Sequence, residues 1–394
     1  MIFTEFEDKK LSLLGMGGMR FPTLENGEID EKQTEEMIRV CIENGVNYFD
    51  TSWTYHGGQS EVVLGKLLKK FPKDKWFLAD KYPGHNIAST YNPAKTFEEQ
   101  LRRCGVDRFD FYLMHNVYEN SIDVYLDPKW GMVDYFIEQK KIGRVGHLGF
   151  SCHGSPEVLK RFLEAYGEHM EFCQIQLNWL DWTLQDANEK VKILNEYNIP
   201  VWVMEPVRGG RLCTLNAEDE AKLKALRPDE TIPAWGFRFL QDIKGVQMVL
   251  SGMSNMAQVE DNLKTFESAK PLTDAEKETL LSIAEGMKDS VPCTECRYCT
   301  EKCPLGLDIP MLIKIYNEVR FYAHVSVGMR LEGLPYEKTS AACIGCGACA
   351  KMCPQLINIP SVMKDLTERL KDIPKWTEIC RAREEAAKKA EEEK

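Results

Sequence analysis

The chain is 394 residues long, 43% hydrophobic and 28% charged, with a formal net charge of −11. That is enough chain for two or three domains with full cores, while the acidic balance offers no basic stripe and excludes a nucleic-acid partner. No apolar run reaches the ~18 residues that cross a bilayer, and Met1 leads into the mixed charges of FTEFEDKK rather than a signal peptide. The expectation is a cytoplasmic protein with no membrane partner.

From residue 11 to about 270, short apolar runs alternate with longer amphipathic ones. The runs read as strands are LSLLGMG (11–17), VNYFDTS (46–52), WFLADKY (76–82), FDFYLMHN (109–116), RVGHLGFS (144–151), FCQIQLNW (172–179), PVWVMEPV (200–207) and VQMVLSG (246–252). Helical patterns lie between them and after the last, with glycines closing several at Gly45, Gly143 and Gly167. Ser155 and Pro156 have the form of a helix cap and first turn. Eight strands alternating with eight helices give an α/β fold, a (β/α)8 TIM barrel. A doubly wound sheet is the alternative, but GMGG (15–18) is too short for the dinucleotide loop such a sheet uses.

The texture then changes. Residues 1–270 form the barrel, 271–290 a linking helix, 291–375 a small, mainly α-helical domain, and 376–394 a charged helical tail. The small domain holds CTECRYCTEKCP (293–304) and CIGCGACAKMCP (343–354), two copies of C-x2-C-x2-C-x3-C-P. Three thiolates at steps of three wrap one cubane, and the fourth, set off by a proline, reaches the other. Cys293, Cys296, Cys299 and Cys353 are therefore assigned to one [4Fe–4S] cluster, and Cys343, Cys346, Cys349 and Cys303 to a second. Zinc ribbons are the alternative, but they use separated C-x2-C pairs. LDIP and INIP follow the two copies, so the half-units look duplicated. The region resembles the two-cluster ferredoxins, which implies transfer of single electrons.

In a barrel of this kind, chemistry sits at the C-terminal ends of the strands. Those ends offer Asp50, Tyr55 in the loop behind it, Lys81 and His115. An ammonium near a phenol stabilises the phenolate and lowers its pKa, making Tyr55 a proton donor beside Lys81. Asp50 can neutralise Lys81, and His115 can donate to the same oxygen as Tyr55. DTSWTYHGGQSEVVLGKLL (50–68), LADKY (78–82) and DFYLMHN (110–116) resemble the aldo-keto reductase family over about residues 11–269. Each of the four residues matches a member of that family's catalytic tetrad. His56, His85, His147 and His153 match no catalytic position.

The resemblance implies an oxidoreductase in which a nicotinamide cofactor, NADP or NAD, passes a hydride to an aldehyde or ketone, or takes one from an alcohol. The family's cofactor positions fall on Ser151, Gln174, Met204, Arg208, Gly252, Gln258, Asp261 and Asn262. Met204 stands where an aromatic often stacks on the ring. Gly252 and Gln258 stand where many members carry Lys and Arg for the 2′-phosphate, which weakens the case for NADP over NAD. Trp53, Trp179 and Trp182 are candidate walls of a substrate pocket. A cluster moves one electron and a hydride carries two. That mismatch leaves open a ferredoxin-linked oxidoreductase with a flavin or other carrier in the barrel, a redox partner protein such as a ferredoxin, and a non-enzymatic redox sensor or electron carrier.

Overall fold

The computed structural model describes residues 1–84, 92–287, 291, 293, 297–321, 325–353 and 356–392. The chain divides into two compact units, residues 1–281 with 383–394, and residues 282–382.

An antiparallel hairpin comes first, β1 (Phe3–Phe6) with β2 (Lys9–Ser12). Eight parallel strands follow: β3 (Leu14–Gly17), β4 (Tyr48–Asp50), β5 (Phe77–Tyr82), β6 (Phe109–Val117), β7 (Val145–Cys152), β8 (Phe172–Gln176), β9 (Val201–Met204) and β10 (Val246–Ser251). They close into a barrel in chain order, with β10 pairing back onto β3. The expected run at 11–17 is in fact broken. The Ser12 hydroxyl donates to Leu14 O at 2.7 Å and its N–H to Asn47 Oδ1 at 2.8 Å, which ends β2 and redirects the chain into β3. The hairpin caps the barrel's N-terminal end. Phe6 packs among Tyr48 and Phe172, the first residues of β4 and β8, with Phe111 and Trp202.

The glycines of GMGG serve packing. A Cβ on Gly15 would lie 2.7 Å from Leu250, and one on Gly18 2.9 Å from Asp50 O. Gly45 (φ +90°) and Gly143 (φ +82°) close their helices in the left-handed region. Gly167 does not; it keeps φ −56° and runs into a further turn of 3-10 helix at Gly167–His169. Ser155 does cap Pro156–Tyr166, accepting from Val158 N–H.

In residues 282–382, helices Ile309–Phe321, Val325–Glu332 and Ile359–Leu370 bury Leu312, Ile313, Val327, Met363 and Leu366 in one apolar core. The cysteine copies share their turn geometry among the described residues. Short helices Tyr298–Glu301 and Ala348–Lys351 are each preceded by a left-handed residue, Arg297 (φ +65°) and Gly347 (φ +74°). Cys303 and Cys353 N–H donate to Thr300 O and Ala350 O, both at 3.2 Å.

Helix Gln59–Leu68 crosses helix Pro93–Cys104 at Gly65, where an added Cβ would lie 2.1 Å from Cys104 O. The two backbones must separate to admit a methyl group. Gly65→Ala is expected to cost about 2–3 kcal/mol of stability, as overpacked cores do. Denaturant unfolding checks it, and an unchanged midpoint sinks the idea.

Candidate active site and cysteine cavity

The four tetrad positions converge at the C-terminal mouth of the barrel. Asp50 ends β4, Lys81 lies one residue from the end of β5, and His115 lies near the end of β6. Tyr55 begins a turn of 3-10 helix behind β4, in which His56 (φ +50°) and Gly57 (φ +63°) are left-handed. Lys81 Nζ donates to Asp50 Oδ1 at 2.5 Å and to Thr51 O at 2.7 Å, and stands 3.4 Å from Tyr55 Oη. Asp50 and Lys81 are buried, while Tyr55 and His115 are half-buried above them. The Ser52 hydroxyl pairs with His115 Nδ1 at 3.0 Å and fixes the ring's orientation. The His115 and Tyr55 rings meet edge to face, their centroids 6.3 Å apart.

Electrostatics order the group. Burial works against the Lys81 ammonium, and the Asp50 carboxylate together with Tyr55 and Asp80 more than restores it, so the Lys81 pKa ends above its ordinary value. Tyr55 corrects the sequence expectation. Burial raises its phenol above the ordinary value, and Lys81 pulls it back only in part. Desolvation of the phenolate is the larger effect in this cleft.

The cofactor positions line the next strands round the barrel. Ser151 and Gln174 are register partners on β7 and β8. The Ser151 hydroxyl accepts from Asn116 N–H at 2.7 Å. Gln174 Oε1 is buried with no hydrogen-bond partner, a costly state that a ligand amide would relieve. Met204 is half-buried at the end of β9. Gly209 and Gly210 expose their backbone in left-handed conformations. Arg208, matched to a cofactor position by the resemblance, is buried. Its buried guanidinium donates from Nε to Asp181 Oδ2 at 3.2 Å, inside the protein. An exposed cation beside this loop is Arg20, from the turn after β3. It lies 3.8 Å from Glu205, and its side chain sits where Cβ atoms on Gly209 and Gly252 would fall. Sequence reading passed over Arg20, since GMGG was judged only as a failed dinucleotide loop.

Gln258 is held by its own helix. Asn255 caps Met256–Phe266 by accepting from Gln258 N–H, and Gln258 Oε1 accepts from Ser254 N–H at 2.7 Å. Asp261 accepts from Thr231 Oγ1 at 2.8 Å, and buried Asn262 donates to Ser251 Oγ at 2.9 Å. Among the aromatic candidates, Trp179 is fully buried packing. Trp182 meets Phe239 edge to face, in a cleft against helices Ala187–Glu196 and Asp274–Met287 on the barrel's outside, away from the tetrad. Trp53 stacks on the Arg103 guanidinium at 3.9 Å. His56 Nε2 accepts from Phe21 N–H, and His147 pairs with Glu171 near the start of β7; His85 lies outside the described residues.

In residues 282–382, Cys303, Cys343, Cys346 and Cys349 line one small cavity, walled by Leu307, Ile309 and Met363. Three of its cysteines come from one copy of the motif and the fourth from the other. Leu307 N–H points at Cys303 Sγ at 3.5 Å, the kind of backbone donor that stabilises a thiolate. Cys293, Cys299 and Cys353 pack on the same apolar core, while Cys296 lies outside the described residues.

Comparisons with known proteins agree with both units. The aldo/keto reductase family model matches residues 13–285, and a 4Fe-4S dicluster domain model matches residues 292–358. The second match replaces the zinc-ribbon alternative. A probable aldo-keto reductase 1 of Glycine max is 27% identical over 55% of this chain, and the match spans 63% of that protein's own length. An NADH-specific methylglyoxal reductase of Escherichia coli is 24% identical over 67% of this chain and 91% of its own. Among solved structures, the holo form of aldo-keto reductase AKR11C1 from Bacillus halodurans has the same fold. It aligns with a TM-score of 0.59 and 24% identity, covering 72% of this chain and 96% of its own. The chain belongs to the aldo/keto reductase family of oxidoreductases and carries a 4Fe-4S dicluster domain behind its barrel.

Proposed function

We propose that the barrel reduces an aldehyde or ketone with a nicotinamide cofactor, NADH in preference to NADPH, and that the dicluster domain passes single electrons. The observation that carries the reading is the buried Lys81–Asp50 pair beneath a half-buried Tyr55 and His115 at the barrel mouth. A bound dihydronicotinamide supplies the hydride. Gln174 Oε1 suits the ring's carboxamide N–H, Ser151 stands beside it, and the exposed backbone of Gly209 and Gly210 with Arg20 suits the pyrophosphate. Tyr55 gives its proton to the substrate oxygen as the carbonyl carbon is reduced. The Lys81 ammonium stabilises the phenolate left behind, and Asp50 keeps that ammonium charged. His115, held by Ser52, orients the substrate oxygen.

NADH is favoured because neither Gly252 nor Gln258 supplies a cation for a 2′-phosphate, and Gln258 is occupied in its helix cap. The Escherichia coli relative bears an NADH-specific name. For the second unit, the cavity lined by Cys303 with Cys343, Cys346 and Cys349 supports the crossed ligand assignment, with Cys293, Cys296, Cys299 and Cys353 on the other cluster.

Tyr55→Phe should lower kcat by at least ~100-fold, the worth of a positioned acid, while nucleotide binding stays intact. A variant with normal turnover would remove Tyr55 as the donor. The pH profile follows from the protonated phenol being the active form. Activity holds below the Tyr55 pKa and falls as pH rises through it, and burial puts that alkaline limb above the phenol's usual value of about 10. A limb set by this group near neutrality would contradict the electrostatics. Fluorescence titration should show NADH binding at least ~10-fold tighter than NADPH, since neither Gly252 nor Gln258 carries a cation for the extra phosphate; tighter NADPH binding ends that preference. Cys346→Ala should lose about four of about eight irons per chain. Loss of none, by iron analysis of anaerobically purified protein, contradicts the ligand set.

A further inference from the structure

The two copies of the cysteine motif superpose by register, Cys303 on Cys353, Gly306 on Leu356 and Ile309 on Ile359. Their turns are the same. Gly306 N–H donates to Cys303 O at 3.0 Å and Leu356 N–H to Cys353 O at 3.1 Å, with φ +58° and +54°. The cysteines and the prolines agree in both copies, and among the positions that differ three change from a polar residue or glycine to an exposed apolar one. Thr294, Lys302 and Gly306 in the first copy become Ile344, Met352 and Leu356 in the second. Their exposures are 67%, 43% and 89%.

Folding gains nothing from these three replacements. A left-handed turn suits glycine, and leucine there brings its Cβ against the backbone. Apolar side chains left in water contribute no burial. The first copy shows that the same turn closes with glycine. All three lie within residues 344–356, and Ile344 lines the cysteine cavity beside Cys346, itself exposed. Residues 338–364 hold Lys338, Lys351 and Lys364 and no acidic residue, in a chain of net charge −11.

We propose that this second cysteine loop is a docking surface for an acidic one-electron carrier protein whose own redox centre is edged by apolar residues. The inference rests on the cluster reading above. Ile344, Met352 and Leu356 supply the water-excluding contact, and the lysines attract the carrier and set its approach. A reduced carrier loses one electron and the cluster held by Cys343, Cys346, Cys349 and Cys303 gains it; no bond or proton moves. Such encounters are small and transient, below about 1,200 Å² of buried surface, which suits so short a segment.

The test is anaerobic stopped-flow reduction of the full-length holoprotein, followed by cluster bleaching. The donor is either a reduced acidic [2Fe–2S] ferredoxin or reduced methyl viologen. In the variant combining Ile344→Thr, Met352→Gln and Leu356→Gly, the ferredoxin rate should fall at least ~10-fold while the viologen rate stays within about twofold. The wild-type ferredoxin rate should fall with salt, and Lys351→Glu should lower it further. An unchanged ferredoxin rate in the triple variant overturns the proposal. So does a wild-type rate indifferent to salt, or a wild-type protein that viologen reduces and ferredoxin does not. Should the triple variant lose iron, the Lys351→Glu and salt measurements on intact protein decide. Iron analysis of the wild type separates the two readings, since a wild-type protein without iron sinks the cluster assignment and the docking with it.

Discussion

An ammonium buried at the foot of a cleft is the constraint around which the barrel is arranged. Lys81 is wholly excluded from water, and an unpaired charge in that position would cost several kcal/mol or shed its proton. Asp50 and the Thr51 carbonyl prevent that. Removing one partner from such a pair typically costs about 3–5 kcal/mol, so the pair must be placed by something stiff. Two adjacent parallel strands place it, since β4 and β5 pair Asp50 with Ala79, two residues before Lys81.

The strand end carrying Lys81 is fixed from behind as well. Asp80 accepts from the Lys81 N–H at 2.8 Å, and Gln100 Nε2 donates to both Lys81 O and Glu61 Oε1. Arg103 closes the network on Glu61 at 3.0 Å and lies under Trp53, two residues before Tyr55. Burial, and then the Glu61 carboxyl beside it, push the Asp80 carboxyl well above the carboxylate range. Glu61 and Gln100 come from the two helices that meet at Gly65. The close approach that excludes a methyl group is thus what lets both side chains reach the strand. In the segment SEVVLG, the glutamate and the glycine serve one end.

Much of this was legible in the sequence, for a physical reason. Residues at the C-terminal ends of parallel strands face one opening, so order along the chain becomes neighbourhood in space. Asp50, Tyr55, Lys81 and His115 could be gathered without knowing a distance. The cysteine spacing is equally direct, because a cluster on a tight loop demands one step length. What stayed hidden depends on side-chain direction and solvation. FTEF and KKLS carry too many charges to look like a hairpin. Arg208 reads as a cofactor contact in VRGG, yet its guanidinium is buried against Asp181, far from it in sequence. Arg20, unremarkable in sequence, lies against the glycines of two other loops. The Tyr55 shift was misjudged because a nearby charge can be guessed from sequence, whereas the desolvation opposing it depends on how deeply the ring sits.

The duplicated unit separates two kinds of constraint within a single chain. Positions that face a cluster have no latitude: the cysteines, the prolines after them and the turn hydrogen bonds are the same in both copies. Positions that face water do have latitude, and there the copies differ in polarity as well as in identity. Folding stability favours glycine over leucine in a left-handed turn and a polar over an apolar side chain in water. The second copy departs from both preferences at Leu356, with no gain in burial to offset them. A departure repeated at Ile344 and Met352, in the same copy, is not what packing alone would produce. The feature that distinguishes the halves is therefore a property of the surface, while the geometry that holds the cysteines is common to both.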